Sequence, residues 1–66
     1  MEATFLQRLQ YEKDDLLEKV TKLAIFIAKE EMSQTVSEAN YLLLKQQLVY
    51  MNDYLNILII RIELNK

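Results

Sequence analysis

The stretch YLNILIIRIEL, Tyr54 to Leu64, decides what kind of fold this chain can adopt. Wound at 3.6 residues per turn it is apolar almost all the way round, and a helix of that kind has to be covered on more than one side. The whole chain has only 66 residues, one domain at most, which buries about 60% of the surface its unfolded form exposes. A core of that size is marginal. Small domains make up the deficit with disulfides, a structural metal or association with other chains. With no Cys and no His, the first is excluded and the second lacks its commonest ligands. Association remains.

Working toward the N-terminus, Tyr41, Leu44, Leu48, Met51, Leu55, Leu58 and Ile62 recur at alternating spacings of three and four. They form one stripe of a helix expected over 37–65. Leu6, Leu9, Leu16, Val20, Leu23 and Ile27 make a matching stripe, interrupted by Lys13, on a helix expected over 4–31. Thr4 and Gln7 have the spacing of a capping box, and Asp15–Lys19 and Glu18–Lys22 are i,i+4 pairs in the favourable order. The segment MSQTV, 32–36, is the break between them, rich in hydroxyl residues that compete for backbone hydrogen bonds. Ser37 is the preferred N-cap of the second helix, with Val36 and Tyr41 as a hydrophobic staple; Thr35 with Glu38 is the competing start. With no Gly and no Pro for tight loops, the reading is an all-α, two-helix antiparallel hairpin over 1–66.

That seam does not use up the apolar residues. Leu43, Tyr50, Tyr54 and Ile57 form a second face on the same helix, widened by Leu42, Val49 and Ile60, and only Glu38, Lys45, Asn52, Asn56 and Glu63 make a polar stripe. A monomer exposing such a patch is an aggregation hazard, so these seven apolar residues are assigned to the interface of a homo-oligomeric helical bundle. The first helix adds a smaller patch, Leu17, Ala24, Ile25 and Ala28, while Phe5 and Phe26 are expected to close the two ends of the bundle. Met51 reads as core.

Other functional classes fit poorly. The longest unbroken apolar run is six residues, Leu23 to Ala28, far from the roughly 20 of a spanning helix. MEATFLQRLQ has no basic segment followed by an apolar run, so neither membrane nor export is expected, and the cytoplasm is the expected location. A net charge of −2 without a basic stripe argues against DNA. Asp14–Asp15 and Glu30–Glu31 are adjacent pairs whose side chains diverge by roughly 100° on a helix, which suits solvated charge better than a shared metal or proton. No nucleophile has a base beside it, and no cofactor, metal or enzymatic activity is expected.

Asn40, Gln47, Tyr50, Tyr54 and Arg61 fall on one side of the second helix. Two uses are open: tyrosines packing an oligomer interface with a polar rim, or a pocket in which they stack on bases while Arg61 meets a phosphate.

FLQRLQYEKDDLLEKVTKLAIFI, a short break, and VSEANYLLLKQQLVYMNDYLNILIIRI together resemble a family of very short helical-hairpin proteins of tailed bacteriophages, including crAss-like phages. The resemblance lies in Phe5 and Arg8, then Leu16, Lys19, Val20, Lys22, Leu23, Phe26 and Ile27. It continues through Ser37, Glu38, Leu43, Leu44, Lys45, Gln47 and Leu48 to Arg61 and Ile62. Ala39 and Asn40 depart from it where acidic residues are expected, as do Ile25 and Ile60 where polar ones are. It implies a counter-defence protein in the host cell cytoplasm, acting as a sponge for a nucleotide immune signal. A protein-binding inhibitor of a host defence protein and a structural or assembly adaptor are the alternatives.

Overall fold

The computed structural model describes residues 4–66 and contains two helices, α1 (Phe5–Ser33) and α2 (Glu38–Leu64), packed side by side as a hairpin. Thr4 and Gln7 form the expected capping box. Gln7 Oε1 accepts from the Thr4 N–H at 2.9 Å, and Thr4 Oγ1 accepts from the Gln7 N–H at 3.1 Å. Ser37 caps α2, its hydroxyl oxygen accepting from the Asn40 N–H at 3.2 Å. Thr35, the competing start, instead lies in the turn, where its hydroxyl and its backbone N–H both donate to Glu30. The two i,i+4 pairs form as expected, Lys22–Glu18 at 2.9 Å and Lys19–Asp15 at 3.9 Å.

The seam is built from both stripes. Leu9, Leu16 and Val20 of α1 are buried against Leu55, Leu58 and Ile62 of α2, with Leu6, Leu48 and Met51 packed on them. Burying each such side chain contributes about 1.5–3 kcal/mol. Leu58 is the one fully buried large side chain among the described residues. The packing is uneven along the hairpin: the buried cluster lies at the open end, while Leu23, Ile27, Tyr41 and Leu44 nearer the turn are half-buried.

What holds the turn end is polar. α1 runs to Ser33, two residues past its expected end, and stops where Gln34 adopts a left-handed conformation (φ 52°, ψ 42°) and gives its N–H to the Glu30 carbonyl at 2.8 Å. The Glu30 side chain, 7% exposed, accepts from the Thr35 N–H at 2.9 Å, the Val36 N–H at 3.0 Å and the Thr35 hydroxyl. The expectation that Glu30 is solvated charge is therefore corrected. The turn folds back so that its donors converge on this carboxylate, which satisfies backbone groups that would otherwise be orphaned. The Thr35 hydroxyl above all, then the Val36 and Thr35 backbone N–H groups and the Ser33 hydroxyl, hold the Glu30 carboxyl below its ordinary value, against the opposing effect of burial. A lowered folded-state pKa gives stability that is fully present above the unfolded value, about 4.3, and is lost as pH falls through the folded value. Glu30→Gln is expected to lower the melting temperature at neutral pH and to flatten its fall on acidification. Thermal melts from pH ~7 to ~3 check this, and a variant whose acid limb matches that of the parent would contradict it.

The hairpin is a rod of 46 × 21 × 14 Å with a radius of gyration of 15.0 Å, against about 11 Å for a compact chain of this length. Its accessible surface is 5299 Å², where a compact monomer of 7.9 kDa would expose about 4,400 Å². The surplus is largely apolar. Leu42, Leu43, Val49, Tyr50, Ile57 and Ile60 of α2 are each more than half exposed, and Tyr54 is 43% exposed. Leu17 and Ile25 of α1 are exposed as well, and so are Phe5 and Phe26 at 50% and 42%. No described helix is long and apolar enough to cross a membrane.

Candidate functional site: an aromatic groove on α2

The exposed face of α2 is not flat. Leu43, Gln46, Gln47, Tyr50, Met51 and Tyr54 line an open groove of about 490 Å³. Residues three and four apart share a helix face, which is why positions 43, 46, 47, 50, 51 and 54 make one continuous trough. Met51 gives it a soft floor shared with the seam. The two tyrosines form the walls, and each is tethered. Gln46 Nε2 donates to the Tyr50 hydroxyl oxygen at 3.1 Å, while the Tyr54 hydroxyl donates to Glu12 Oε1 across the hairpin. This contact raises the Tyr54 phenol above its ordinary value, burial and the Glu12 charge adding to it, while the positive charge of Arg61 pulls the other way.

Of the five residues singled out in the sequence, Gln47, Tyr50 and Tyr54 line the groove. Gln47 Nε2 makes a long contact of 3.7 Å to Met51 Sδ. Arg61 lies beyond the groove lining, exposed, but close enough for its charge to act on Tyr54. Asn40 belongs to the first turn of α2, where its backbone is held by Ser37, and it does not line the groove. Gln46 lines the groove and was not singled out, and Glu12, which is not among the lining residues, reaches the Tyr54 hydroxyl from α1. Gln46 has the helical spacing to be found; Glu12 has no signal in the sequence, because its approach depends on the register of one helix against the other.

A second cavity, about 500 Å³, lies at the turn between Glu30, Glu31, Gln34, Val36, Glu38, Tyr41 and Lys45. Val36 and Tyr41, the expected staple, both line it. Lys45 stands over the Tyr41 ring with Nζ 5.4 Å from the centroid, a cation–π contact that draws one of α2's few cations away from the groove. Lys66 pairs with Glu63 at 2.8 Å. No cluster of acidic residues among the described positions is arranged to hold a metal.

A two-helix rod with an open, aromatic-walled groove and an uncovered apolar face has the form of a small binding protein. The chain belongs to the Sequestin family, whose family model matches residues 3–64, nearly its whole length. The name denotes sequestration, and membership implies that the protein binds some ligand or partner. No curated protein and no solved structure matches the chain.

Proposed function

We propose that the protein self-associates through the exposed face of α2 and sequesters a nucleotide immune signal without chemically changing it, as a phage-encoded counter-defence sponge acting in the host cytoplasm. The observation that carries this is the groove itself. Two tethered tyrosines with exposed rings and an arginine two turns further along offer stacking surfaces and one phosphate partner. Base stacking on an aromatic side chain contributes about 1–3 kcal/mol per base and suits a binder that performs no reaction. Self-association is supported by the surface surplus, roughly 900 Å² by the size scaling of compact proteins, close to the ~800 Å² each partner contributes to a standard interface. Two copies meeting along α2 would cover the apolar face, close the groove from its open side and double the cations around it.

Adding a panel of cyclic and linear nucleotides to the purified protein is expected to raise its melting temperature in proportion to the logarithm of ligand concentration. Arg61→Ala, outside the apolar face assigned to the interface, should weaken that shift while leaving the oligomer's mass by light scattering unchanged. A panel that gives no shift at all would overturn the nucleotide role. The second reading, an inhibitor that docks its α2 face into a groove of a host defence protein, is favoured by the scarcity of free cations on α2, where Lys45 is turned to Tyr41 and Lys66 to Glu63. A monomer that ignores every nucleotide would fit this second reading.

A further inference from the structure

Resting on the nucleotide-binding role proposed above, we infer that the phosphate is held by two arginines, one from each helix. Arg61 of α2 and Arg8 of α1 converge on one side of the rod, just past the Tyr54 end of the groove. The contact between the Glu12 carboxylate and the Tyr54 hydroxyl fixes how the two helices are aligned at that level. Arg8 precedes Glu12 by four residues and so shares its stripe of α1, one turn nearer the open end. Arg61 follows Tyr54 by seven and shares its stripe of α2, two turns along. Because the helices form a hairpin, both steps lead toward the same end. At about 1.5 Å per residue they carry Arg8 about 6 Å and Arg61 about 10 Å past the contact. The two are thus separated by about 4 Å along the rod and by one helix-to-helix spacing, about 8–10 Å, across it. Two long side chains span that gap from either side.

Neither guanidinium is taken up elsewhere. Arg8 and Arg61 are exposed, and neither belongs to an ion pair among the described residues. Glu12 stands one turn from Arg8, but the cation precedes the acid, the less favourable order on a helix, and Glu12 Oε1 already accepts from Tyr54. Arg61 lies near enough for its charge to act on the Tyr54 phenol. The other cations have partners: Lys45 over the Tyr41 ring, Lys66 on Glu63 and Lys22 on Glu18. Arg8 therefore supplies from α1 the second positive charge that α2 lacks. A guanidinium presents its donors as a planar fork that matches two oxygens of a phosphate. Two such forks against the single Glu12 carboxylate leave the site positive. A sugar separates the base of a nucleotide from its phosphate, so a base stacked on Tyr54 carries its phosphate one to two turns away, to the level of the arginines. The ligand accordingly lies with its phosphate toward the open end of the hairpin and its base toward the turn.

The experiment is calorimetric titration of the full chain with AMP, ADP and cyclic di-AMP, and with adenosine, which keeps the base and lacks the phosphate. Each is repeated on Arg8→Ala, on Arg8→Lys and on Lys29→Ala, which removes the same charge from α1 21 residues further along, about 30 Å away. Circular dichroism checks the fold of each variant and light scattering its mass. Arg8→Ala is expected to weaken the phosphate-bearing ligands by about tenfold to a hundredfold, the usual contribution of a hydrogen bond to a charged group, and to leave adenosine unchanged. Arg8→Lys, which keeps the charge and loses the fork, is expected to fall between the two. Lys29→Ala should bind as the parent does. Three results overturn the arginine clamp while leaving nucleotide sequestration standing: a parent that binds AMP no tighter than adenosine, an Arg8→Ala protein with undiminished affinity for the phosphate-bearing ligands, or a loss in Arg8→Ala matched by adenosine or by Lys29→Ala. Failure of every ligand to bind the parent removes both.

Discussion

Replacing Leu58 with alanine is expected to leave the chain largely unfolded at room temperature. Leu58 is 0% exposed and lies at the centre of the cluster formed by Leu9, Leu16, Val20, Leu55 and Ile62. Truncating a buried leucine removes its transfer free energy and leaves a cavity that surrounding atoms fill only in part, a loss of about 3–5 kcal/mol. A chain below 70 residues seldom has more than about 3–5 kcal/mol from its core to lose. The substitution therefore removes most of what holds the helices together, and isolated helices in water are marginal without tertiary packing. Circular dichroism and a urea titration measure it. The matched control is Lys19→Ala, which disturbs only an exposed pair 3.9 Å apart and is expected to cost about 0.3–0.5 kcal/mol. A Leu58→Ala protein that melts within a degree or two of its parent would mean that this cluster is not what stabilises the hairpin.

The second large effect is expected on assembly. Ile57 is 54% exposed in the single chain and lies on the face proposed to meet another copy. Ile57→Glu puts a carboxylate where that contact would exclude water, and an unpaired buried charge costs several kcal/mol after relaxation. The self-association constant should weaken by about a hundredfold or more, since each 1.4 kcal/mol is a factor of ten, so that the variant dissociates at higher concentration than the parent. Light scattering over a dilution series reads the mass directly. Asn56→Glu places the same charge one residue away on the polar stripe and should leave the mass unchanged. If Ile57→Glu and the parent have the same mass at every concentration, the exposed face of α2 is not a self-association surface.

The hairpin was legible because its determinants are local or periodic. The two stripes needed only the helical repeat, and Thr4, Gln7 and Ser37 act within three residues of their partners. Three things were not legible, each for a geometric reason. Glu30 looked like half of an acidic surface pair, and its capping role exists only once Gln34 turns left-handed and brings Thr35 and Val36 back over the last turn of α1. Asn40 was placed by its position around the helix, whereas the groove begins one turn further along at Leu43. Glu12 could not be connected to Tyr54 because periodicity specifies which faces meet and leaves open how far one helix slides along the other.

The uneven burial along the rod bears on how it comes together. Leu9 and Ile62 are among the most separated residues of the described chain, yet both belong to the buried cluster, so the strongest contacts close the longest loop. At 29 and 27 residues, the two helices reach the tips as continuous rods whose stability comes mainly from packing on each other. The entropic cost of closing that loop grows only slowly with its length. The hairpin is therefore built like a pair of tongs, with the turn as the pivot and the grip at the tips.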